Sequence, residues 1–589
     1  AAASLLAAPP VMDRVPDNAF AVIGMPSPDA MHKDISALMT AVEAPFPMPE
    51  VADLLAMAGI TEGIDTSKSV AIVLYPPKKD PLKDAAKKAA DAMGDEDDDE
   101  GEGEDPRAVI LMPIKKYEDL LANFGAKPEA GQAITRIDTP DGGDGYVKDV
   151  GSGYAAMSDD RELLAAFDAR SGASPLKSKL GVAGDKLTDN SSMFIVVNMD
   201  EVRPMWPELK KELESAIKEQ AENLPMAGEA PNPFDSAAAV WFLDTMMKES
   251  RAMVAGIKPS GKGFGMNMAM NFTEGSMMGG MFKDGGRAGD LLAKLPAGPY
   301  LVAGAYDYSA PAIKKFFKDL SAKGEGGGSG VSFGIGLDAK TMDISDGAAF
   351  TMGLPKGGIF GGLMTGMVTY VKAKDPASII AVNKASMTEL NGQTQEGMAF
   401  EIKYTDKAAQ VEGVDVDAFD VKITSEEGLD MAQPMAMVFG PSGGPNGYIA
   451  RADGGMYMTM AKSSELMGTA LKVGKGGENL GSDRLISQVG GSMPANRIAE
   501  FYIGTRSIAD MVLPFAAMAG VTVPADKIPE NLPPIAATLS GEAGVAHFAL
   551  FVPTPVIKTV FEVGMAVQQQ MEGGEMPDGG KSETGQPRF

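Results

Sequence analysis

The chain contains no cysteine and only two histidines, His32 and His547, in 589 residues. Without cysteine there can be no disulfide, thiolate nucleophile, zinc finger or iron–sulfur cluster. Positive charge is also in short supply, with 53 Lys plus Arg against 80 Asp plus Glu and a net charge of −27. That balance excludes nucleic acid as a natural partner and disfavours anionic membrane surfaces, because both demand a basic footprint. Long apolar runs are missing as well. Residues 357–371 carry five glycines and 508–523 contain Asp510 and Pro514, so neither offers the ~20 uninterrupted apolar residues of a spanning helix. No transmembrane span is expected.

Zero cysteine over this length fits a protein of an oxidising, extracytoplasmic compartment. The opening AAASLLAAPP, small and apolar from Ala1, resembles the end of a signal peptide or the start of a mature exported chain. Export to the periplasm, the cell surface or the medium is therefore expected, with residues 1–14 a flexible start.

The hydrophobic share of 44% is ordinary for a folding chain, while Gly 70 and Pro 40 point to many turns and short elements. A single core rarely grows beyond ~250–300 residues, so two domains or a duplication are expected. Laid side by side, the two halves repeat one order of elements. Residues 15–33 (VPDNAFAVIGMPSPDAMHK) match 295–314 (LPAGPYLVAGAYDYSAPAIK), 63–74 match 340–353, and 107–124 match 366–383. The clearest pair is 145–167 (GYVKDVGSGYAAMSDDRELLAAF) against 447–471 (GYIARADGGMYMTMAKSSELMGTAL), each a hairpin followed by a capped helix. Strands 192–198 and 498–504 follow, and hairpins at 253–272 and 537–552, the second turning at 540–542, close each half. The expected fold is α+β: two tandem diverged copies, at 15–290 and 291–571, of a mostly antiparallel sheet of about eight strands with helices on one face. Residues 77–106, ending in GDEDDDEGEGEDP, form an acidic insertion that cannot bury apolar area and is expected to be disordered, as are 324–330 (GEGGGSG) and the tail 572–589.

Four features carry a resemblance. They are the Pro-containing opening before an apolar strand at 15–23 and 295–302, the strand entry Gly63-Ile64-Asp65, the strand–helix unit ending in Leu120-Leu121, and the GY hairpins that precede a helix. In these the chain resembles an exported bacterial family known only as a domain of unknown function. The resemblance implies export and a mixed α+β fold, and brings no activity with it.

Candidate chemistry is sparse. GIKPSGKG at 256–263 approaches a phosphate loop, but Gly263 stands where Ser or Thr would hold Mg²⁺ and a strand follows instead of a helix, so it reads as a hairpin turn. GPSGG at 440–444 has the spacing of a nucleophile elbow around Ser442, yet a loop and a strand follow it. Ser215 and Lys218 lie in a polar helical stretch, 207–223, whose charges suit i,i+4 ion pairs. Neither histidine has a ligand partner at helical spacing. Met266, Met268 and Met270 alternate along one strand, as do Met456, Met458 and Met460 in the other half, which puts each triplet on one sheet face. Thioethers there could hold Cu(I), or fill an adaptable core, the reading favoured by the 41 methionines elsewhere in the chain. Asp95, Asp97 and Asp99 could gather Ca²⁺ loosely, although Gly101 falls one place late for an EF-hand loop. No cofactor is expected and no catalytic constellation emerges. The sequence therefore suggests a non-enzymatic structural or interaction protein of the cell envelope, with protein partners or self-association. The alternative is a carrier of a lipid-like ligand in a Met-lined cavity.

Overall fold

The computed structural model describes residues 10–45, 48–57, 59–76, 107–128, 131–139, 142–169, 175–211, 215, 237–321, 339–355, 357–395, 398–425, 432–518 and 523–573. The acidic insertion with Asp95, Asp97 and Asp99, the stretch 324–330, Lys218 and the tail from 574 lie outside the described residues.

Short apolar runs punctuated by glycine turns give strands β1 (Ala21–Met25), β2 (Val70–Tyr75), β3 (Arg107–Pro113), β4 (Ile134–Asp138), β5 (Asp144–Gly151), β6 (Tyr154–Ser158), β7 (Met193–Asn198), β8 (Ser250–Ser260) and β9 (Gly263–Phe272). The second half contributes β10 (Tyr300–Asp307), β11 (Ser345–Gly353), β12 (Met367–Ala373), β13 (Thr394–Gln395), β14 (Met398–Val411), β15 (Val414–Ser425), β16 (Asn446–Ala452), β17 (Gly455–Thr459), β18 (Arg497–Ile503), β19 (Ile535–Glu542) and β20 (Val545–Pro553). All of them join one sheet in which every pairing is antiparallel, so the α+β class holds.

The halves meet where β9 pairs with β20, from Val545 opposite Asn271 to Pro553 opposite Gly263. Outward from that junction one side runs β9, β8, β7, β1, β2, β3, β6, β5, β4. The other runs β20, β19, β18, β10, β11, β12, β17, β16, β15, with β14 and β13 added at the edge. The sheet passes without a break across the boundary expected near residue 290.

Helices cover both faces of this sheet, not one. On the first face, Val22, Val73, Val109 and Leu111 are sealed by Leu163 and Leu164 of the helix Arg161–Ala166 and Leu187 of Gly181–Asn190. The same face continues into Ala303, Tyr370 and Tyr502, under helices Ala288–Leu292, Ser464–Val473 and Arg484–Gly490. On the second face, Met112 packs with Leu120 and Leu121 of Tyr117–Ala122, while Val371, Met456 and Met458 pack with Ile379 of Pro376–Leu390. The physical reason is visible in β3, RAVILMP, which is apolar at both alternations. A strand of that kind must be buried from two sides.

Two boundaries also move. The start becomes ordered by Pro10–Arg14, a 3₁₀ turn whose Val11 and Met12 are fully buried. The last hairpin turns at Ala543-Gly544, both in the left-handed region at φ 52° and 83°, because Ser540, Gly541 and Glu542 still pair in the ladder. The 256–263 motif is the end of β8 and its turn into β9, as its spacing predicts.

Candidate functional site

On the second face, β8, β9, β19 and β20 present side chains at period two: Met266, Met268 and Met270 from β9, Ala546, Phe548 and Leu550 from β20, and Ala537 and Leu539 from β19. Helix Pro311–Ser321 crosses above them. Its Ile313, Phe316, Phe317 and Leu320 recur at the i, i+3, i+4, i+7 spacing of one helix face, with Lys314, Lys315, Lys318 and Asp319 at the intervening positions. Helix Ala237–Glu249 brings Trp241, Phe242 and Met246 alongside. Its Asp244 is pushed up by burial, but hydrogen bonds from the Trp206 indole at 2.8 Å and the Lys210 ammonium at 3.0 Å outweigh this and hold it below the usual carboxylate range. The short helix Met277–Met281 is capped by Ser276, whose hydroxyl accepts from Gly279 N–H at 3.1 Å, and Glu249 accepts from Met278 N–H at 2.8 Å.

These elements enclose a cavity of about 540 Å³, open on one side, and every residue lining it is apolar. Met268, Met270, Leu539, Ala546 and Phe548 supply the floor, while Phe242, Met246, Phe316, Phe317 and Leu320 supply the roof. Met278, Met281, Phe282 and Phe272 close one end. An aromatic cluster stiffens the roof: Phe316 stacks on Trp241 at 5.9 Å between centroids and meets Phe242 and Phe317 edge-on at 5.7 and 5.4 Å. Among the described residues no titratable side chain lines the cavity.

The two methionine triplets share the second face but differ in surroundings. Met456, Met458 and Met460 are buried in the core, each at most 2% exposed. Met268 and Met270 line the cavity, and Met266 beyond them is 40% exposed. Among the described residues no cluster of three or more histidine, aspartate or glutamate side chains could hold a metal ion. Ser442 lies in the 3₁₀ turn Gly440–Ser442, donating to the carbonyls of Phe439 and Gly444 at 2.9 Å. His32 stands 3.9 Å from Glu50 on the helix Pro28–Ala41, and His547 is on β20. The aromatic roof is not among the residues expected from the sequence, although Ile313, Phe316, Phe317 and Leu320 at helical spacing signal it.

No helix among the described residues is long and apolar enough to cross a membrane. No protein-family model and no curated protein matches the chain. Among solved structures, crystal forms I and IV of TP0453 are similar at 8% and 10% identity, with TM-scores of 0.20 and 0.19. These matches cover 45% of this chain and 79% and 81% of those chains. Likeness at that level carries no argument about function, which rests on the cavity itself.

Proposed function

We propose that the protein is an extracytoplasmic carrier that holds a lipid-like apolar ligand in the Met- and Phe-lined cavity. One observation carries this reading: a space of about 540 Å³ whose lining, among the described residues, is entirely apolar. Its size falls within the ~300–1,000 Å³ of small-molecule pockets. An apolar surface of this extent open to water is typical of a ligand groove, because covering it with an apolar occupant is favourable. Methionine suits it, because a flexible, polarizable thioether adapts to chains of varied shape. The absence of cysteine and the resemblance of the strand openings to an exported bacterial family support the compartment. The shared outward order of strands supports descent from one duplicated module.

A structural or self-associating role in the envelope is the second reading. It is favoured by apolar side chains left in solvent on three helices: Met57 at 84% exposure, Met518 at 78% and Val560 at 68%. Native mass spectrometry of protein purified from its own source, with lipid extraction, decides between the two. A monomer carrying a stoichiometric lipid supports the carrier. A discrete oligomer with an empty cavity, in protein that also fails to take up lysophosphatidylcholine, refutes it.

A further inference from the structure

The cavity is one end of a longer apolar feature. Met268 and Phe548 belong to its floor, and one step along the same strands, on the same face, come Met266 and Leu550, which are paired with each other. The cross-strand row through that pair runs Phe501, Ala537, Leu550, Met266, Ile257, from β18 to β8. All five residues are apolar, and Met266 and Phe501 are 40% and 37% exposed in the middle of a sheet. At ~4.8 Å between strands this row is roughly 19 Å long. In the next row outward Ile535 and Val552 pack with Leu513 of the helix Thr505–Met518 and Val556 and Val563 of Thr554–Gly573, while Ile503 at the row's β18 end stays 38% exposed. The open row is thus a trough, walled by those two helices on one side and continuous with the roofed cavity on the other.

We infer that the ligand of the proposed site is a long single-chain amphiphile, its terminal segment in the cavity and the rest lying in the trough across Met266, Leu550 and Phe501. This rests on the carrier reading. Two features favour a chain over a compact ligand or a protein partner. The trough floor is a continuation of the cavity floor, so one occupant covers both. Its backbone is already paired on both sides, so it offers a partner strand no hydrogen bonds, and its side chains offer none either.

The test uses lysophosphatidylcholines, whose zwitterionic headgroup is indifferent to the net charge of −27. Decanoyl and stearoyl forms, kept below micelle concentrations, are titrated against the full chain in a Trp206→Phe background, so that Trp241 beside the cavity roof reports binding. Wild type is expected to prefer the stearoyl form by about tenfold or more, since the additional methylenes are buried in the trough. Met266→Glu and Phe501→Glu are expected to abolish most of that preference while leaving decanoyl affinity within about twofold, and Met266→Leu to retain it. Both residues are partly exposed, so folding is preserved, as the thermal midpoint will show. Equal affinity for the two chains, or a preference untouched by both charged variants, overturns the trough while the cavity reading stands. Failure of both chains to bind wild type, or binding that Met268→Glu does not weaken in a folded variant, overturns the cavity reading itself.

Discussion

Asp189 should destabilise this protein at neutral pH, and replacing it with asparagine should help. It lies on the helix Gly181–Asn190, one turn after Asp185, and the Oδ1 atoms of both are buried without a hydrogen-bond partner among the described residues. Burial raises the Asp189 carboxyl from 3.8 to about 6, the Asp185 charge adds to the rise, and Lys177 only partly opposes it. Lys177 is itself engaged by Asp13 at 2.7 Å. A shift of that size corresponds to ~3 kcal/mol if undiminished. The residue is partly exposed, and solvent screening reduces this to ~1 kcal/mol. The sign follows from linkage. The folded state binds the proton more tightly, so stability is highest below the unfolded value near 3.8 and falls as pH rises through about 6. Asp189→Asn removes the penalty above pH 6 and has almost none to remove in acid. For a unit of ~150–250 residues, ~1 kcal/mol moves the thermal midpoint by ~2–4 °C. The expected result is a gain of that order at about pH 8 that vanishes near about pH 3.5, two conditions on either side of the isoelectric point of 4.6, where precipitation interferes. A lower midpoint at pH 8 would refute the reasoning, since it would mean the carboxylate is held by a cation.

Three further outcomes are expected. A Cβ at Gly447 would lie 1.7 Å from the Thr459 carbonyl oxygen, whereas one at Gly145, in the matching hairpin, meets only the side chains of Ile137 and Thr139 at 2.9 Å. Gly447→Ala should therefore cost ~3 kcal/mol or more and Gly145→Ala nearer ~1 kcal/mol, read from denaturation midpoints, and equal costs would show that the backbone of β17 gives way. Burial holds the His547 imidazole below its ordinary value, so stability falls as pH drops through 6.5, where the unfolded chain takes up the proton first; His547→Leu should flatten that slope. Glu500 is 1% exposed, its Oε2 taken by Arg497 at 2.6 Å and Tyr502 at 3.1 Å. Arg497→Met should cost ~3–5 kcal/mol by leaving a buried carboxylate unpaired, and adding Glu500→Leu should restore most of the loss, with a failure of restoration pointing to the Arg497 bonds to Pro494 and Gly490 instead.

Much of the fold was legible because its signals are local. Period-two runs bounded by glycine, and the recurrence of GY hairpins before a capped helix, mark β5–β6 and β16–β17 without reference to anything distant. What could not be read is how the strands pair over long separations. Nothing in GFGMNMAMNF or VAHFALFVP says that β9 and β20, nearly half the chain apart, lie side by side. The expectation of helices on one face failed for a related reason. Alternation signals one buried face, whereas strands apolar at both parities, such as β2 and β3, call for cover on two.

The site follows from that same doubly apolar character. A sheet of this length with two apolar faces needs covering helices along both, and the helices of the first face supply this for the central strands: Val22, Val73, Val196, Val254 and Ala269 are each at most 1% exposed. On the second face β7 and β9 carry Ile195 and Met266, and β18 carries Phe501, all suited to burial, yet each more than a third exposed. Helices flank that strip without closing over it. Exposed apolar side chains scattered on a surface are unremarkable, but Met266 and Phe501 stand in one cross-strand row, with Ile195 in the adjoining row that includes Met268 of the cavity floor. An occupant that is itself apolar reconciles residues suited to a core with a position open to solvent, and the alternating methionines of β9 are where sequence and cavity coincide.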